Sequence, residues 1–524
     1  MVKKLFFFII MTLLISACSY KEKVPHLDTS KTVNEEVIKH RTEKILLSKG
    51  FQSIEPMVEA KNEGGKLRLI VNAGVVECSG INIDKVTKAG NTVNLYISSL
   101  FDEGKAQLAI PQATVIIEEA INSNINSLNF KIIPQNYKPI ALKYNKTQII
   151  DKIIGEFKID INTMPQVELI KGGDSIYWNM VFFNLVHKEN YKSPLSNLRV
   201  RVDAITGEIL YHKKNTISTY VDEGYLMDHL PNKLLLYKKE HKNNDIQHES
   251  LWTYDTGSQM KTKIYSTKFN IQNAYFSPEG EYIALIEKGD SKSDIYIIER
   301  SKNIAYKITP PEYFNPKLIK WKNGNQLSIA DVSNEKTAIF TYDIKENRLV
   351  KEFEMDKPIN SFDILENMIV FSESNELAIN KSIYLTKDGI NFKEIGKGFS
   401  PSFFDGNNII YLQNDENMNK NRLIMYSIER NSIMDKLDYN IINYSKLNDD
   451  TLIFIENTNF NNTYNLVKYD VDSRSVISTY RINSASLFYS SKDEKAYLSL
   501  SISRKDKSLN NIYCVDLNEI GASN

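Results

Sequence analysis

The sequence predicts a mainly β protein: a C-terminal β-propeller of seven blades, with six possible, preceded by a small β-rich domain and an α+β domain. Three observations predict the propeller. Short apolar runs recur at a nearly constant interval through roughly the last 300 residues, a second run follows each first one, and the segments between them are polar and turn-forming. Four short strands per period of about 40–45 residues is the pattern of a propeller blade.

The first run appears as Leu234–Tyr237, Tyr282–Leu285, Leu327–Ala330, Met368–Phe371, Ile409–Leu412, Leu452–Ile455 and Ala496–Ser499, with starts spaced by 48, 45, 41, 41, 43 and 44 residues. The second appears as Leu251–Tyr254, Ile295–Ile298, Ile339–Tyr342, Ile383–Thr386, Leu423–Tyr426, Leu466–Tyr469 and Ile512–Val515. Asp255, Asp343, Asp470 and Asp516 directly follow four of these. The stretch Lys238–Glu249 makes the first unit irregular, and if it belongs partly to a linker the count falls to six. Ring closure is expected from a strand near Ile217–Val221 that pairs with the last blade and removes an exposed sheet edge. A β-sandwich or a solenoid is the competing architecture.

One blade carries a specific motif: Phe276-Ser277-Pro278-Glu279-Gly280, then Asp294–Ile298, then Ile308-Thr309. It resembles the WD40-like repeat of TolB-type propellers, in which Ser-Pro-Asp-Gly turns between the first two strands. Here Glu279 replaces the Asp, and the other blades keep the strand pattern without the motif. Thr386–Phe392 resembles a shortened Asp-box, a turn element of sialidase-type propellers that serves folding rather than catalysis.

The N-terminus reads as an address. Lys3 and Lys4 precede an apolar stretch from Leu5 to Ile15, too short to span a hydrocarbon core of about 20 residues. It ends in Ile15-Ser16-Ala17-Cys18, which resembles the lipobox of bacterial lipoproteins. That resemblance implies a signal peptide over 1–17, a diacylglycerol (palmitate-bearing) anchor on Cys18, and attachment to the extracytoplasmic face of the bacterial cell membrane. An ordinary secretory signal or a short anchor is the bland alternative. Removing residues 1–17 leaves 63 basic residues against 65 acidic ones, so the lipid and not a polybasic patch holds the membrane. Residues 18–49 are expected to be a polar tether with a short helix over Val37–Ser48.

Residues 50–138 read as the small β-rich domain, from runs such as Leu67–Val71, Gly80–Ile83 and Thr92–Ile97, with Lys88–Asn91 as a turn. Cys78 is expected to be a small buried residue. In residues 139–215, Thr147 is placed to cap a helix with Ile149, Ile150, Ile153, Ile154 and Phe157 at helical spacing. Strand-like runs follow at Val167–Ile170, Ile176–Phe183 and Leu198–Val202. The segment Val202-Asp203-Ala204-Ile205-Thr206-Gly207-Glu208-Ile209-Leu210 resembles the hairpin of PepSY-type domains of secreted bacterial proteins, which implies an interaction or protease-restraining module. Asp203 can accept turn hydrogen bonds and Gly207 can take a positive φ, so these residues are read as structural.

Composition narrows the chemistry. In 524 residues, 65 Lys+Arg balance 65 Asp+Glu, which argues against non-specific nucleic-acid binding. Three Cys cannot form a disulfide framework. The seven His are 26, 40, 187, 212, 229, 241 and 248, so the repeat beyond the first unit has no imidazole for a triad or a multi-His metal site. His229, His241 and His248 read as solvated loop residues. There is no G-x-S-x-G elbow, P-loop or dinucleotide fingerprint. Acidic neighbours such as Asp415 with Glu416, or Asp449 with Asp450, read as turns. The resulting expectation has no catalytic residues, cofactor or metal, with Cys18 as the lipidation site. The protein would be a lipid-anchored binding scaffold for a protein or glycan partner. Alternatives are a polysaccharide hydrolase or lyase working in the propeller funnel, and PepSY-mediated restraint of a secreted protease.

Overall fold

The computed structural model describes residues 35–520 apart from 64–65, 119–124, 162–163, 187–189, 191, 244–245, 290–291, 310–313, 334, 375–376, 459–462 and 505–506. The signal segment, Cys18 and most of the tether lie outside the described residues. Two compact units divide between Asn145 and Lys146.

In the first unit two sheets pack face to face. One pairs Glu36–Ile38, Gly80–Ala89, Thr92–Leu100 and Asn129–Pro134. The other is built on Gln107–Ile117, flanked by His40–Ser48 and Lys66–Asn72. Alternation along Lys66–Val71 sends Leu67, Leu69 and Val71 inward, where they meet Ile81, Val93, Leu95 and Ile97 of the opposite sheet. Cys78 is buried and unbridged, and burial pushes its thiol up. The short helix expected before Ser48 is instead the strand His40–Ser48, paired along its length with Gln107–Ile117. An isolated helix of that length is marginal in water, so pairing with a long partner strand decides the conformation.

The second unit begins with the helix Lys146–Phe157, which buries Ile149, Ile150 and Ile153. Thr147 therefore sits inside the first turn and is not the residue before it. The antiparallel sheet Gln166–Gly172, Ser175–Leu185, Ser196–Asp203 and Ile209–Thr216 follows in sequence order. Trp178, Met180, Phe182, Leu198, Val200 and Val202 fill its core. The Asp203 turn forms as read: Oδ1 accepts the N–H of Ile205 at 2.9 Å and of Thr206 at 2.7 Å, and Gly207 has φ +74°.

From Ser218 to Asp516 the described strands make seven four-stranded blades. The inner strands are Tyr225–Leu230, Asn270–Phe276, Pro316–Trp321, Ile359–Leu365, the second half of Lys393–Phe403, Ile441–Lys446 and Leu487–Ser490. Ser218–Glu223 supplies the outer strand of the seventh blade, beside Lys507–Asp516, and so closes the ring. The Lys238–Glu249 stretch is no linker: Leu234–Asn243 and Ile246–Asp255 pair through it as a long hairpin, which completes blade one and removes the six-blade count.

Seven apolar clusters, each shared by two neighbouring blades, hold the ring. They explain the repeating runs. In the second strand of blade two, Ile283 and Leu285 pack toward blade one, while Ala284 and Ile286 pack toward blade three. A strand buried on both faces is apolar continuously rather than alternately. The Asp residues after the second runs cap turns. Asp255 accepts from Gly257 and Ser258, Asp343 from Glu346, Asp470 from Ser473 and Asp516 from Asn518.

Candidate functional site

The inner strands of a propeller line its central channel. Six of the seven carry a register shift near their start, at Leu226/Asp228, Ile271/Asn273, Pro316/Leu318, Ile359/Ser361, Phe399/Ser402 and Ile441/Asn443. A bulge re-aims the side chains that follow it. Just beyond these bulges the chain places Asp228, Tyr275, Lys320, Asp363, Ser402 and Tyr444, one from each of six blades.

These groups form a polar belt that links blade to blade. Asp228 Oδ2 accepts the N–H of Phe276 at 2.7 Å. Burial pushes the Asp228 carboxyl up to about 6, against hydrogen bonds from the Phe276 and His229 backbone and the charge of Lys320. Trp321 Nε1 donates to the Tyr275 carbonyl at 3.1 Å. Lys320 Nζ lies 3.5 Å from Asp363 Oδ1, while Asp363 Oδ2 accepts the N–H of Phe403 at 2.9 Å. The Tyr444 hydroxyl donates to the Ser400 carbonyl, lies 3.1 Å from the Ile410 carbonyl, and accepts from Ser402 Oγ at 3.3 Å. Burial raises its pKa.

His229 is not a solvated loop residue. It lies on the inner strand of blade one and stacks on Phe488 of blade seven, with ring centroids 4.4 Å apart. Burial lowers the imidazole to about 4, which keeps it neutral at physiological pH. His241 and His248 also leave the loop class: they face each other across the long hairpin, and His241 Nε2 lies 2.9 Å from Ser250 Oγ.

The other sequence candidates are turns. Asp388 of the Asp-box-like segment accepts the N–H of Ile390 at 2.9 Å and of Asn391 at 2.8 Å, and these bonds, Asn391 first, hold its carboxyl down to about 2. Asp415, at the end of the second strand of blade five, pairs with Arg422 at 2.8 Å, and Asp449, in the turn after the inner strand of blade six, pairs with Lys446 at 2.8 Å. Among the described residues no group of three or more His, Cys, Asp or Glu could hold a metal ion.

Sequence reading missed Asp228, Tyr275, Lys320, Asp363 and Tyr444. Their signal is only a position, a few residues before each first apolar run, and bulges of unequal size blur it. Chemically, the belt joins one cation, two carboxylates, two phenols and a serine hydroxyl, with the Trp321 indole beside them. Each carboxylate spends an oxygen on the next blade's backbone, and Lys320 engages Asp363.

Neither a protein-family model nor a curated protein matches this chain. Solved structures that resemble it in part include the β-propeller domain of the Trilobed protease from Pyrococcus furiosus, at 18% identity and TM-score 0.42, covering 56% of this chain and 96% of that one. TolB from Acinetobacter baumannii is 12% identical, with TM-score 0.33 and coverage of 66% and 85%. The oligogalacturonate lyase from Vibrio parahaemolyticus is 11% identical, with TM-score 0.42 and coverage of 61% and 96%. The propeller assignment itself rests on the strand pairing and the seven shared cores.

Proposed function

We propose that this protein is a lipid-anchored, extracytoplasmic binding protein whose propeller channel takes a protein or glycan partner. Cys18 would carry the lipid at the head of a tether, and the PepSY-like segment 139–215 would serve as a docking element. The observation that carries the reading is the Lys320–Asp363 pair within the channel belt, flanked by Tyr275 and Tyr444 from other blades. A rigid scaffold that presents charged and aromatic groups from separated segments is the usual construction of a binding site.

The test compares surface partners and glycans retained by the wild-type chain and by Lys320→Glu, with melting curves to confirm folding. Loss of a retained partner in the variant supports the reading, and an identical retained set overturns it. Turnover of an extracellular polysaccharide that disappears in both Asp228→Asn and Asp363→Asn would establish the funnel enzyme in its place. Palmitate labelling that persists in Cys18→Ser would remove the anchor.

A further inference from the structure

A cavity of about 280 Å³ lies where the four-stranded sheet of 166–216 meets blades six and seven. The two parts are firmly joined. Leu195 donates its N–H to Ser218 Oγ at 2.9 Å, and Leu195, Val186 and Ile217 pack with Ile502 and Tyr513. The cavity is thus a built feature of one compact unit.

Its charged lining is one-sided. Arg199 comes from the sheet and Arg481 from the outer strand of blade six, and among the described residues no Asp or Glu lines it. Arg481 Nη1 donates to Gln166 Oε1 at 3.3 Å, but Arg481 Nε is buried with no acceptor among the described residues. Asn483, only 8% exposed, also lines the cavity, and its Nδ2 has no acceptor either. Buried donors without acceptors are costly and rare in native proteins. Here two of them, one belonging to Arg481 itself, come from residues lining a space that also has Arg199 on its wall.

We propose that this cavity binds a carboxylate, presented by the C-terminal residue of a peptide. A planar guanidinium edge matches the two oxygens of a carboxylate, and the Asn483 amide adds a donor beside it. Beside the charge, Val181, the cross-strand partner of Arg199, joins Phe183, Leu498 and Val515 in an apolar lining that suits an aliphatic side chain and leaves sugar hydroxyls unpaired. The volume admits a terminal residue and little more. Since Arg199 and Arg481 come from the two sides of the joint, the ligand would clamp the module to the ring. The site lies outside the channel and does not depend on the channel's role.

The experiment is calorimetric titration of the full chain with N-acetyl-Ala-Leu, its C-terminal amide, glucuronic acid and inorganic phosphate. The free acid is expected to bind and to raise the melting temperature, with the amide at least about tenfold weaker. Arg481→Met and Arg199→Met should each weaken the acid by about tenfold or more, and Arg481→Lys by less. The exposed Arg199 variant keeps the test decisive if Arg481→Met fails to fold. Equal binding of acid and amide, tighter binding of glucuronate or phosphate, unchanged affinity in Arg199→Met, or no binding of the acid at millimolar concentration would each overturn the proposal.

Discussion

The Tyr237 hydroxyl donates a 2.7 Å hydrogen bond to Asp222 Oδ2, tying the second strand of blade one to the closing strand of blade seven. Lys239 Nζ lies 2.7 Å from the same oxygen and Lys261 Nζ 3.6 Å from it. Burial alone would raise the Asp222 carboxyl, but the Lys239 and Tyr237 hydrogen bonds and the two ammonium charges hold it below the usual range. Its contribution is therefore present above the ordinary carboxylate pKa and lost as pH falls through the lowered folded value. Asp222→Asn should cost about 1–3 kcal/mol, read as a lower urea midpoint at neutral pH. Tyr237→Phe should cost less. An unchanged midpoint in Asp222→Asn would show that the ring closes without this contact.

Asp228 and His229 are neighbours with opposite shifts, about 6 for the carboxyl and about 4 for the imidazole. Near pH 5 the folded chain holds a proton on Asp228, and the unfolded chain holds one on His229. The proton difference nearly cancels, so this pair gives the wild type a flat stability between pH 4 and 6. His229→Phe leaves the raised carboxyl alone, so stability should be highest near pH 4 and fall as pH rises through 6. Asp228→Asn leaves the lowered imidazole alone, so stability should be full above pH 6.5 and fall toward pH 4. Each slope should amount to roughly 2 kcal/mol across the window, seen in denaturation at several pH values. Parallel pH profiles for the two variants would refute the pairing.

Gly224 follows the closing strand at φ +138°, where an added Cβ would strike the Lys238 carbonyl. Gly90 has φ +60° in an open hairpin turn, with nothing within 4 Å of the Cβ position. Gly224→Ala should lose about 2 kcal/mol or more, from strain and overlap together. Gly90→Ala should lose about 1 kcal/mol from conformation alone. Thermal melting of both variants tests the order, and equal losses would contradict it.

Asp363 braces two neighbours at once, Lys320 of blade three and the Phe403 backbone of blade five. Asp363→Asn keeps an acceptor for Phe403 and gives up the ion pair, whereas Asp363→Ala gives up both. The Ala variant should be less stable than the Asn variant by about 1 kcal/mol, measured by chemical denaturation. If the two are equally stable, the Phe403 bond contributes nothing.

Much of the fold is legible in the residues. Tyr282–Leu285 and its counterparts are continuously apolar because both faces of each second strand are buried, and that demand repeats with every blade. Asp255, Asp343 and Asp470 announce their turns because a side chain two or three residues from its acceptors can cap them locally. The Asp203 turn is readable for the same reason. By contrast, Val37–Ser48 shows apolar residues without a clear period, and only pairing makes strands of them, Glu36–Ile38 with Gly80–Ala89 and His40–Ser48 with Gln107–Ile117.

The candidate sites were hardly legible. His229, Lys320, Asp363 and Tyr444 look like ordinary surface residues in a chain with 25% charged residues. They meet only after the ring closes, and the bulge in each inner strand decides which side chains face the channel. Arg199 and Arg481 come together across a joint between segments far apart in the chain.

By itself, then, the sequence determined the period, a count of six or seven blades, the closing strand and the turns, because those follow from burial patterns and short-range hydrogen bonds. Tertiary structure alone decided that Lys238–Glu249 completes a blade, how His229 is buried, and where charges converge. Those outcomes depend on registers and bulges set between strands distant in sequence, which no local pattern encodes.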